Sequence, residues 1–302
     1  MKNLIIAIIV IVLIGAGVYY FNHTGGGTTT VTVNTETGVP ENTGTQATTT
    51  VEIKNETVIG TSVQGRAITA YHFGTGSDEV LFVGDIHGGY TPGTAQLAYQ
   101  TMEYLKANNN VIPANVRVTV IPVLNPDGLN STVGTTTGNF PASSIPTSLA
   151  TQTAGRFNAN NVDLNRNFDC EWQPSAQWQG RTVSGGTAAF SEPESQAIRA
   201  YIESKKPKAV VAWYAAEGGV YASACGGGSI AAETLALTNA YATASGYAAH
   251  NTYTSSAVPG DMTNWLAKVG VPAISVLLKT RTDSDWVNNQ AGIKAVLSRY
   301  AR

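Results

Sequence analysis

The sequence predicts one α/β domain with a central sheet that is mixed, mostly parallel and twisted, covered by helices on both faces. Short continuous apolar runs recur along the chain, and each is typical of a strand buried on both sides. Segments with helical spacing separate these runs, and this alternation indicates an α/β sheet with helices on its two faces. Of the 302 residues, about 250 remain after an N-terminal stretch that does not resemble core, which is enough for one sizeable domain.

Each element rests on a local signal. The predicted hairpin and strands cover 58–76 (the hairpin), 79–84, 116–124, 208–213 and 271–278. The predicted helices cover 94–107, 192–204, 230–246 and 288–300. Gly60 and Gly65 supply turn residues for the hairpin, and Asn-Pro-Asp-Gly at 125–128 ends the second buried strand as a turn. Ser191 is the predicted cap of the second helix, with Glu194 three residues further on.

Candidate site loops follow the predicted strands. In open α/β sheets, ligands bind beyond the carboxyl ends of the strands. The loops after Gly84, Leu124, Trp213 and Leu278 should therefore gather at one edge of the sheet.

The N-terminus predicts a membrane anchor over residues 1–21. The uncharged run 4–21 is about 18 residues long, close to the roughly 20 that cross a bilayer as a helix, and Lys2 precedes it on the predicted cytoplasmic side. A cleaved signal peptide is the alternative, but no clear cleavage site follows. Residues 22–50 are rich in Thr, Gly and Asn and predict a flexible tether, so the α/β domain covers 51–302 and is extracytoplasmic.

Composition narrows the partner classes. The net charge is −2, and charged residues make up 13% of the chain against roughly a quarter in a typical soluble protein. Because no cluster of Lys and Arg suggests a nucleic-acid surface, that partner class is set aside. The two cysteines, Cys170 and Cys225, fit either two buried thiols or one disulfide, and a disulfide requires an oxidising compartment.

Five short sequence motifs occur in a definite order along the chain. They include Gly-Asp-Ile-His-Gly-Gly and Arg-Phe-Asn-Ala-Asn-Asn-Val-Asp-Leu-Asn-Arg-Asn-Phe. The five phrases lie at 60–66, 84–89, 125–128, 156–168 and 189–194. Each phrase alone is weak, but five in order are specific, and together they resemble the zinc carboxypeptidases of the carboxypeptidase A type. The resemblance runs from about residue 60 to the C-terminus. The chain looks most similar to the bacterial branch that trims cell-wall and related peptides.

The resemblance implies a zinc held by a His and a nearby Glu after the first site strand and by a later His, with a Glu as general base. His87 matches the first ligand. Tyr90 stands at the position of the ligand Glu, Tyr214 at that of the later His and Leu277 at that of the base. A catalytic zinc takes three protein ligands, and leucine cannot accept a proton from water. The sequence therefore predicts a degenerate site that has lost the usual catalysis.

The positions that hold the substrate are kept. The resemblance implies that Asn165 and Arg166 grip the terminal carboxylate of a peptide and that Arg156 stabilises the oxyanion. Guanidinium binds carboxylate in a bidentate way, which suits these roles. Tyr253 lies near the substrate-capping tyrosine of the family. A structural ion pair between Arg166 and Asp163 is the alternative role for that arginine.

Two further features border the implied site. Glu217 follows Tyr214 by three residues and is a candidate substitute ligand or base, although a solvated or capping carboxylate is the preferred interpretation. In the family fold, the loops that carry Cys170 and Cys225 both border the active site, so the resemblance favours a disulfide between them.

Three functions remain open at this point. The leading hypothesis is a membrane-anchored domain that binds the C-termini of peptides or peptidoglycan peptides without cutting them and without a cofactor. The second is an active metallocarboxypeptidase whose zinc site is built on His87 and Glu217. The third is a structural subunit that self-assembles into a surface layer or filament.

Overall fold

The computed structural model describes residues 29–32, 50–53 and 55–302. The chain divides into an N-terminal unit that ends at Glu56 and a unit that covers Thr57–Arg302. In the first unit, β1 (Thr29–Thr32) pairs antiparallel with β2 (Thr50–Ile53). The predicted membrane span lies outside the described residues. None of the described helices combines the length and apolarity that a bilayer crossing needs.

The second unit is built on an eight-stranded mixed sheet. Its strands and a separate small hairpin, β7 with β8, have these bounds: β3 Glu56–Thr61, β4 Ala67–Phe73, β5 Asp78–Val83, β6 Val116–Ile121, β7 Ser175–Trp178, β8 Arg181–Ser184, β9 Ala209–Ala215, β10 Gly219–Ala222, β11 Ala248–His250 and β12 Ala273–Leu278. The order across the sheet is β11-β10-β12-β9-β5-β6-β4-β3. The four central strands, β12, β9, β5 and β6, run parallel, while β10 and β4 pair antiparallel with them. The predicted mixed, mostly parallel sheet is thus confirmed.

Both faces of the central strands are buried. All six residues of β5 are buried, and its four apolar residues alternate between two hydrophobic clusters. Leu81 and Val83 pack into the cluster on one face, while Val80 and Phe82 pack into the cluster on the other. This double burial explains why the strand is a continuous apolar run instead of an alternating one.

Helices cover the two faces. Their bounds are α1 Pro92–Ala107, α2 Pro126–Val133, α3 Leu149–Ala154, α4 Pro193–Lys205, α5 Ala232–Ser245, α6 Met262–Lys268 and α7 Trp286–Arg299. Apolar side chains of α1, α5 and α7 belong to the cluster of Phe82, and those of α4 and α6 belong to the cluster of Leu81. The expected helical cover on both sides of the sheet is therefore present.

Some local predictions were wrong. The phrase at 125–128 was predicted as a turn but begins α2, where Asn125 Oδ1 accepts a hydrogen bond from Gly128 N and Pro126 opens the helix. Proline suits the first helical position because its missing N–H would be unpaired there anyway. The cap of α4 is Glu192 and not Ser191, because Pro193 opens that helix one residue later than predicted.

The loops after the central strands meet at one edge. Leu124 N donates to Gly84 O, which joins the loops after β6 and β5. Glu217 N donates to Leu278 O at 3.1 Å, which joins the loops after β9 and β12. A disulfide links Cys170 to Cys225 and confirms the pairing that the family resemblance favoured. The carboxyl edge thus brings together the loops that carry the candidate site.

Candidate functional site

The first site loop is a tight turn after β5 that buries His87. Its ring is 5% exposed. Gly88 follows with a φ of +46°, and a Cβ at that position would come within 2.4 Å of Gly155 O. Glycine is therefore required both for the left-handed backbone and for the close approach of the neighbouring chain. This turn fixes the imidazole against the loop that precedes Arg156.

His87 lies in a buried cluster beside the ion pair of Asp163 and Arg156. Both Nε and Nη2 of Arg156 lie 2.9 Å from Asp163 Oδ2, and His87 Nε2 lies 3.7 Å from Asp163 Oδ1. Burial opposes ionisation of Asp163, but the guanidinium groups of Arg156 and Arg166 outweigh it and lower the pKa of the carboxyl. Burial and then Arg156 lower the pKa of His87 well below its ordinary value, so its ring is neutral. The sequence allowed an ion pair between Asp163 and Arg166 as an alternative. In the structure, Asp163 forms its ion pair with Arg156.

Asn165 is held in a network at the end of a short turn. Its Nδ2 donates to Asp261 Oδ2 at 2.8 Å, while its Oδ1 accepts from Tyr214 Oη at 3.2 Å and from Met262 N at 3.1 Å. Both ends of the amide are therefore fixed. Asn165 in turn holds its neighbour, because Arg166 Nη1 donates to the Asn165 carbonyl at 2.9 Å.

Arg166 keeps unused donors. The residue is 2% exposed, it lines the cavity described below, and its Nε has no hydrogen-bond partner within the described chain. A guanidinium group carries five N–H donors, and a buried one gains most from a planar anion. Arg166 is thus a buried cation whose donors are not all used by the described part of the chain.

Neutral side chains occupy two positions at which the family resemblance implied a zinc ligand and the general base. These are Tyr214 and Leu277. The Tyr214 ring lies 5.6 Å from that of His87, and its hydroxyl donates to Asn165. Burial, and next Asp261, raises the pKa of Tyr214 well above its ordinary value, so the phenol stays protonated. Leu277 is 7% exposed and lines the same cavity.

Tyr90 occupies the remaining matched position and makes contacts of its own. Its hydroxyl accepts from Gln179 Nε2 at 3.2 Å and from Arg281 Nη1 at 3.3 Å. Its ring packs edge-on against Trp178 and lies beneath the guanidinium group of Arg156. The phenol oxygen is therefore engaged by Gln179 and Arg281.

The donor set does not fit a catalytic zinc. Such a zinc takes three protein ligands and leaves one position for water. Across residues 55–302, the structure offers no group of three or more His, Cys, Asp or Glu side chains arranged to hold a metal ion. Within the described residues, both ring nitrogens of His87 lack hydrogen-bond partners, and no second ligand of the family type accompanies them.

Glu217 lies outside this cluster. The residue is exposed, and its carboxylate accepts from Tyr253 Oη at 2.8 Å, Tyr221 Oη at 3.1 Å and Ser255 Oγ at 3.3 Å. These contacts anchor the segment that carries Tyr253. Sequence reasoning missed Tyr221, because it lies on the short strand β10 that no periodic pattern reveals.

A cavity of about 110 Å³ is lined by most of the site residues that the sequence predicted. Predicted site residues on its wall are His87, Arg156, Asn165, Arg166, Tyr214, Tyr253 and Leu277. The sequence did not predict three polar residues that also line this cavity, Asp261, Thr263 and Ser275. Thr263 Oγ1 donates to Asp261 Oδ1 at 2.8 Å and lies 2.9 Å from Ser275 Oγ. The signal for Asp261 was present in the sequence, since this residue caps α6 by accepting from Asn264 N. Glu217 and Tyr90 line an adjoining groove instead.

Known proteins resemble this chain in part of its sequence and in its fold. Human carboxypeptidase Z is 31% identical over 123 residues, which cover 36% of this chain and 17% of that protein. The chain thus spans about a sixth of the length of this relative. Carboxypeptidase A from Helicoverpa armigera superposes with a TM-score of 0.63 at 18% identity, covering 81% of this chain and 69% of the other.

The murein-tripeptide amidase MpaA from Escherichia coli O157 has a TM-score of 0.56 at 19% identity, covering 83% of this chain and 94% of the other. At such identities these likenesses show the fold alone. A family model described as zinc carboxypeptidase matches residues 47–298, which is most of the chain. The chain therefore belongs to the zinc carboxypeptidase family.

Proposed function

We propose that this domain binds the C-terminal carboxylate of a peptide and does not hydrolyse it. One observation carries the proposal: Arg166 is buried in the cavity wall with an unpartnered Nε, beside neutral residues at the matched ligand and base positions. A buried guanidinium without a carboxylate partner is costly. An anionic ligand is the natural partner that would remove this cost.

The remaining cavity residues fit a bound peptide end. In the described part of the chain Asn165 Nδ2 donates one hydrogen to Asp261, so its second amide hydrogen and Arg166 can hold the two carboxylate oxygens. Arg156 is neutralised by Asp163 and is therefore suited to a neutral acceptor, the last peptide carbonyl. Tyr253 lines the same cavity and would cover the ligand.

Hydrolysis lacks its usual groups here. Leu277 cannot accept a proton from water, and the Tyr214 hydroxyl is used as a donor to Asn165. In the alternative active enzyme, Glu217 would serve as ligand or base. Its carboxylate is instead occupied by three hydroxyl groups and does not line the cavity of His87. These contacts support the non-hydrolytic function.

The N-terminal sequence motivates a proposal about where the domain lies. We propose that residues 1–21 anchor the chain, that 22–50 tether it and that the domain from 51 onward lies outside the cytoplasm. The disulfide between Cys170 and Cys225 supports this, because such bonds persist in oxidising compartments. Likeness in fold to a murein-tripeptide amidase makes cell-wall peptides the first natural ligands to test.

Calorimetry on the full chain in detergent micelles tests the function. The ligands are acetyl-tetra-alanine with a free C-terminus and the same peptide as its C-terminal amide. We expect the free acid to bind at least about tenfold more tightly, because a charge-assisted hydrogen bond is worth about 1.5–3 kcal/mol. Arg166→Gln should remove this preference, whereas Arg299→Gln, on the end of α7, should keep it.

Two results would overturn the proposal. The first is equal binding, or no binding, of the acid and amide peptides by the folded wild-type chain. The second is release of the C-terminal alanine by protein that carries stoichiometric zinc, with the release stopped by a chelator. Thermal unfolding of each variant shows whether a loss of binding reflects a loss of fold.

A further inference from the structure

A second groove continues from the cavity. It has a volume of about 870 Å³, and we call it the basic groove, defined by Tyr90, Arg156, Trp178, Glu217, Lys279 and Arg281. Arg156, Trp178, Tyr253 and Leu277 line both the cavity and the groove, so the two are contiguous. A peptide whose C-terminus lies at Arg166 would therefore leave the cavity through the basic groove.

Most charges in the groove already have partners. Arg156 pairs with Asp163 at 2.9 Å, and Lys279 Nζ lies 3.0 Å from Asp285 Oδ2. The carboxylate of Glu217 accepts three hydroxyl hydrogen bonds. For Arg281, by contrast, the described part of the chain provides no carboxylate within ion-pair distance.

Arg281 is held in place without such a carboxylate. Its carbonyl accepts from Gly93 N at 2.9 Å, and a Cβ on Gly93 would come within 3.0 Å of that same oxygen. Its guanidinium carbon lies 4.9 Å from the centre of the Tyr90 ring, and Nη1 donates to the Tyr90 hydroxyl. The side chain is half-buried. Since a guanidinium has five donors, several remain for a ligand.

We propose that Arg281, supported by the ring of Tyr90, is a second anion subsite. It binds a carboxylate carried by a peptide residue that precedes the C-terminal one. The inference rests on the proposed function, because the direction of the peptide is set by Arg166. It names the ligand class of the site: peptides with a free C-terminus and an acidic group upstream of it.

The position of Tyr90 gives this subsite its chemistry. A carboxylate at position 90 would stand beside Arg281 and compete with any anionic ligand for its donors. A tyrosine instead offers an aromatic face and a neutral acceptor, which orient the guanidinium and leave its charge uncompensated. The residue that departs from the family pattern thus creates the anion subsite.

Peptides that differ by one charge test the subsite in calorimetry on the full chain. The ligands are acetyl-Ala-Ala-Glu-Ala and acetyl-Ala-Glu-Ala-Ala, each paired with its Gln counterpart. We expect one of the Glu peptides to bind about tenfold more tightly than its Gln partner. Arg281→Gln should reduce that ratio to near one while leaving the affinity for the Gln peptide unchanged. Arg299→Gln is the matched control and should keep the ratio.

The outcomes separate the two proposals. Equal binding of Glu and Gln peptides at both positions would overturn the subsite and leave the carboxylate site at Arg166 standing. Equal weakening of all peptides by Arg281→Gln would show a structural role and would also overturn the subsite. Failure of every free-acid peptide to bind would overturn the proposed function itself. Retention of the Glu preference in Arg299→Gln and its loss in Arg281→Gln would support the inference.

Discussion

Leu277 and Tyr214 are uncharged side chains buried at positions where the family places a general base and a zinc ligand. A buried carboxylate without a cationic partner costs several kcal/mol, and an unpaired buried polar group also destabilises the fold. Leu277 avoids this cost with an apolar side chain, and Tyr214 avoids it by donating to Asn165. Neither residue therefore places an unpaired charge in the wall of the cavity.

Glu217 provides the first prediction at the level of single residues. Glu217→Gln replaces one carboxylate oxygen with an NH₂ group, which cannot accept from the hydroxyls of Tyr253, Tyr221 or Ser255. The anchored segment should loosen. We expect backbone amides in 251–258 to exchange roughly threefold faster in hydrogen exchange, a modest effect because water screens exposed hydrogen bonds.

Glu233→Gln is the control for that experiment. Glu233 is also a solvated carboxylate with several partners, among them Arg299 and Tyr300, and it lies at the start of α5. Its substitution should leave exchange in 251–258 unchanged. Equal exchange rates in the wild type and in Glu217→Gln would show that Glu217 does not anchor the segment.

At the scale of elements, the strength of the periodic signal decided what the sequence could predict. The continuous apolar runs of β5, β9 and β12 identified buried parallel strands, because only double burial requires apolar residues throughout. The strands β7, β8, β10 and β11 have three or four residues each, too few to show a period. Their positions depend on pairing partners that are distant in the chain.

The site was predictable to a similar extent. The sequence identified His87, Arg156 and Arg166, and the structure brings their side chains to one cavity. It did not identify Arg281 because this residue follows β12 in a loop without a motif. The proposed subsite depends on the contact of Arg281 with Tyr90, and these two residues are about 190 positions apart. Sequence spacing carries no information about such distant pairs.

The turn after β5 allows a prediction about an element. Gly88→Ala should destabilise the fold by about 3 kcal/mol or more, because it adds a steric clash with Gly155 O to the cost of a left-handed backbone. Gly134→Ala is the matched control, since its φ is +77° but no atom lies within 4 Å of the added Cβ. That variant should lose only about 1 kcal/mol.

The free energy of unfolding, from urea denaturation followed by tryptophan fluorescence, measures both variants. Equal losses in Gly88→Ala and Gly134→Ala would mean that the close approach to Gly155 O does not constrain the turn. A larger loss for Gly88→Ala supports a rigid setting for His87.

For the whole molecule, the walls of the cavity come from chain segments that are far apart in sequence. Cys170 O accepts from Gly260 N at 2.7 Å, and Gly260 O accepts from Phe168 N at 3.0 Å, so the segment with Arg166 is tied to the one with Asp261. The disulfide then joins Cys170 to Cys225, beyond β10. In this way one covalent bond and two backbone hydrogen bonds connect three parts of the site.

Removal of the disulfide tests how far the domain depends on this connection. Cys170→Ala combined with Cys225→Ala opens a loop with a sequence separation of 55. On the chain-entropy model this lowers the free energy of unfolding by about 4 kcal/mol. Because the bond joins the segment that carries Arg166 to the segment that carries Ala222, and both of these residues line the cavity, the same variant should also bind the free-acid peptide more weakly. Reductant should shift the urea midpoint of the wild type toward that of the variant and leave the variant unchanged. A wild type that reductant does not affect, together with a double variant of equal stability, would show that packing alone holds these walls.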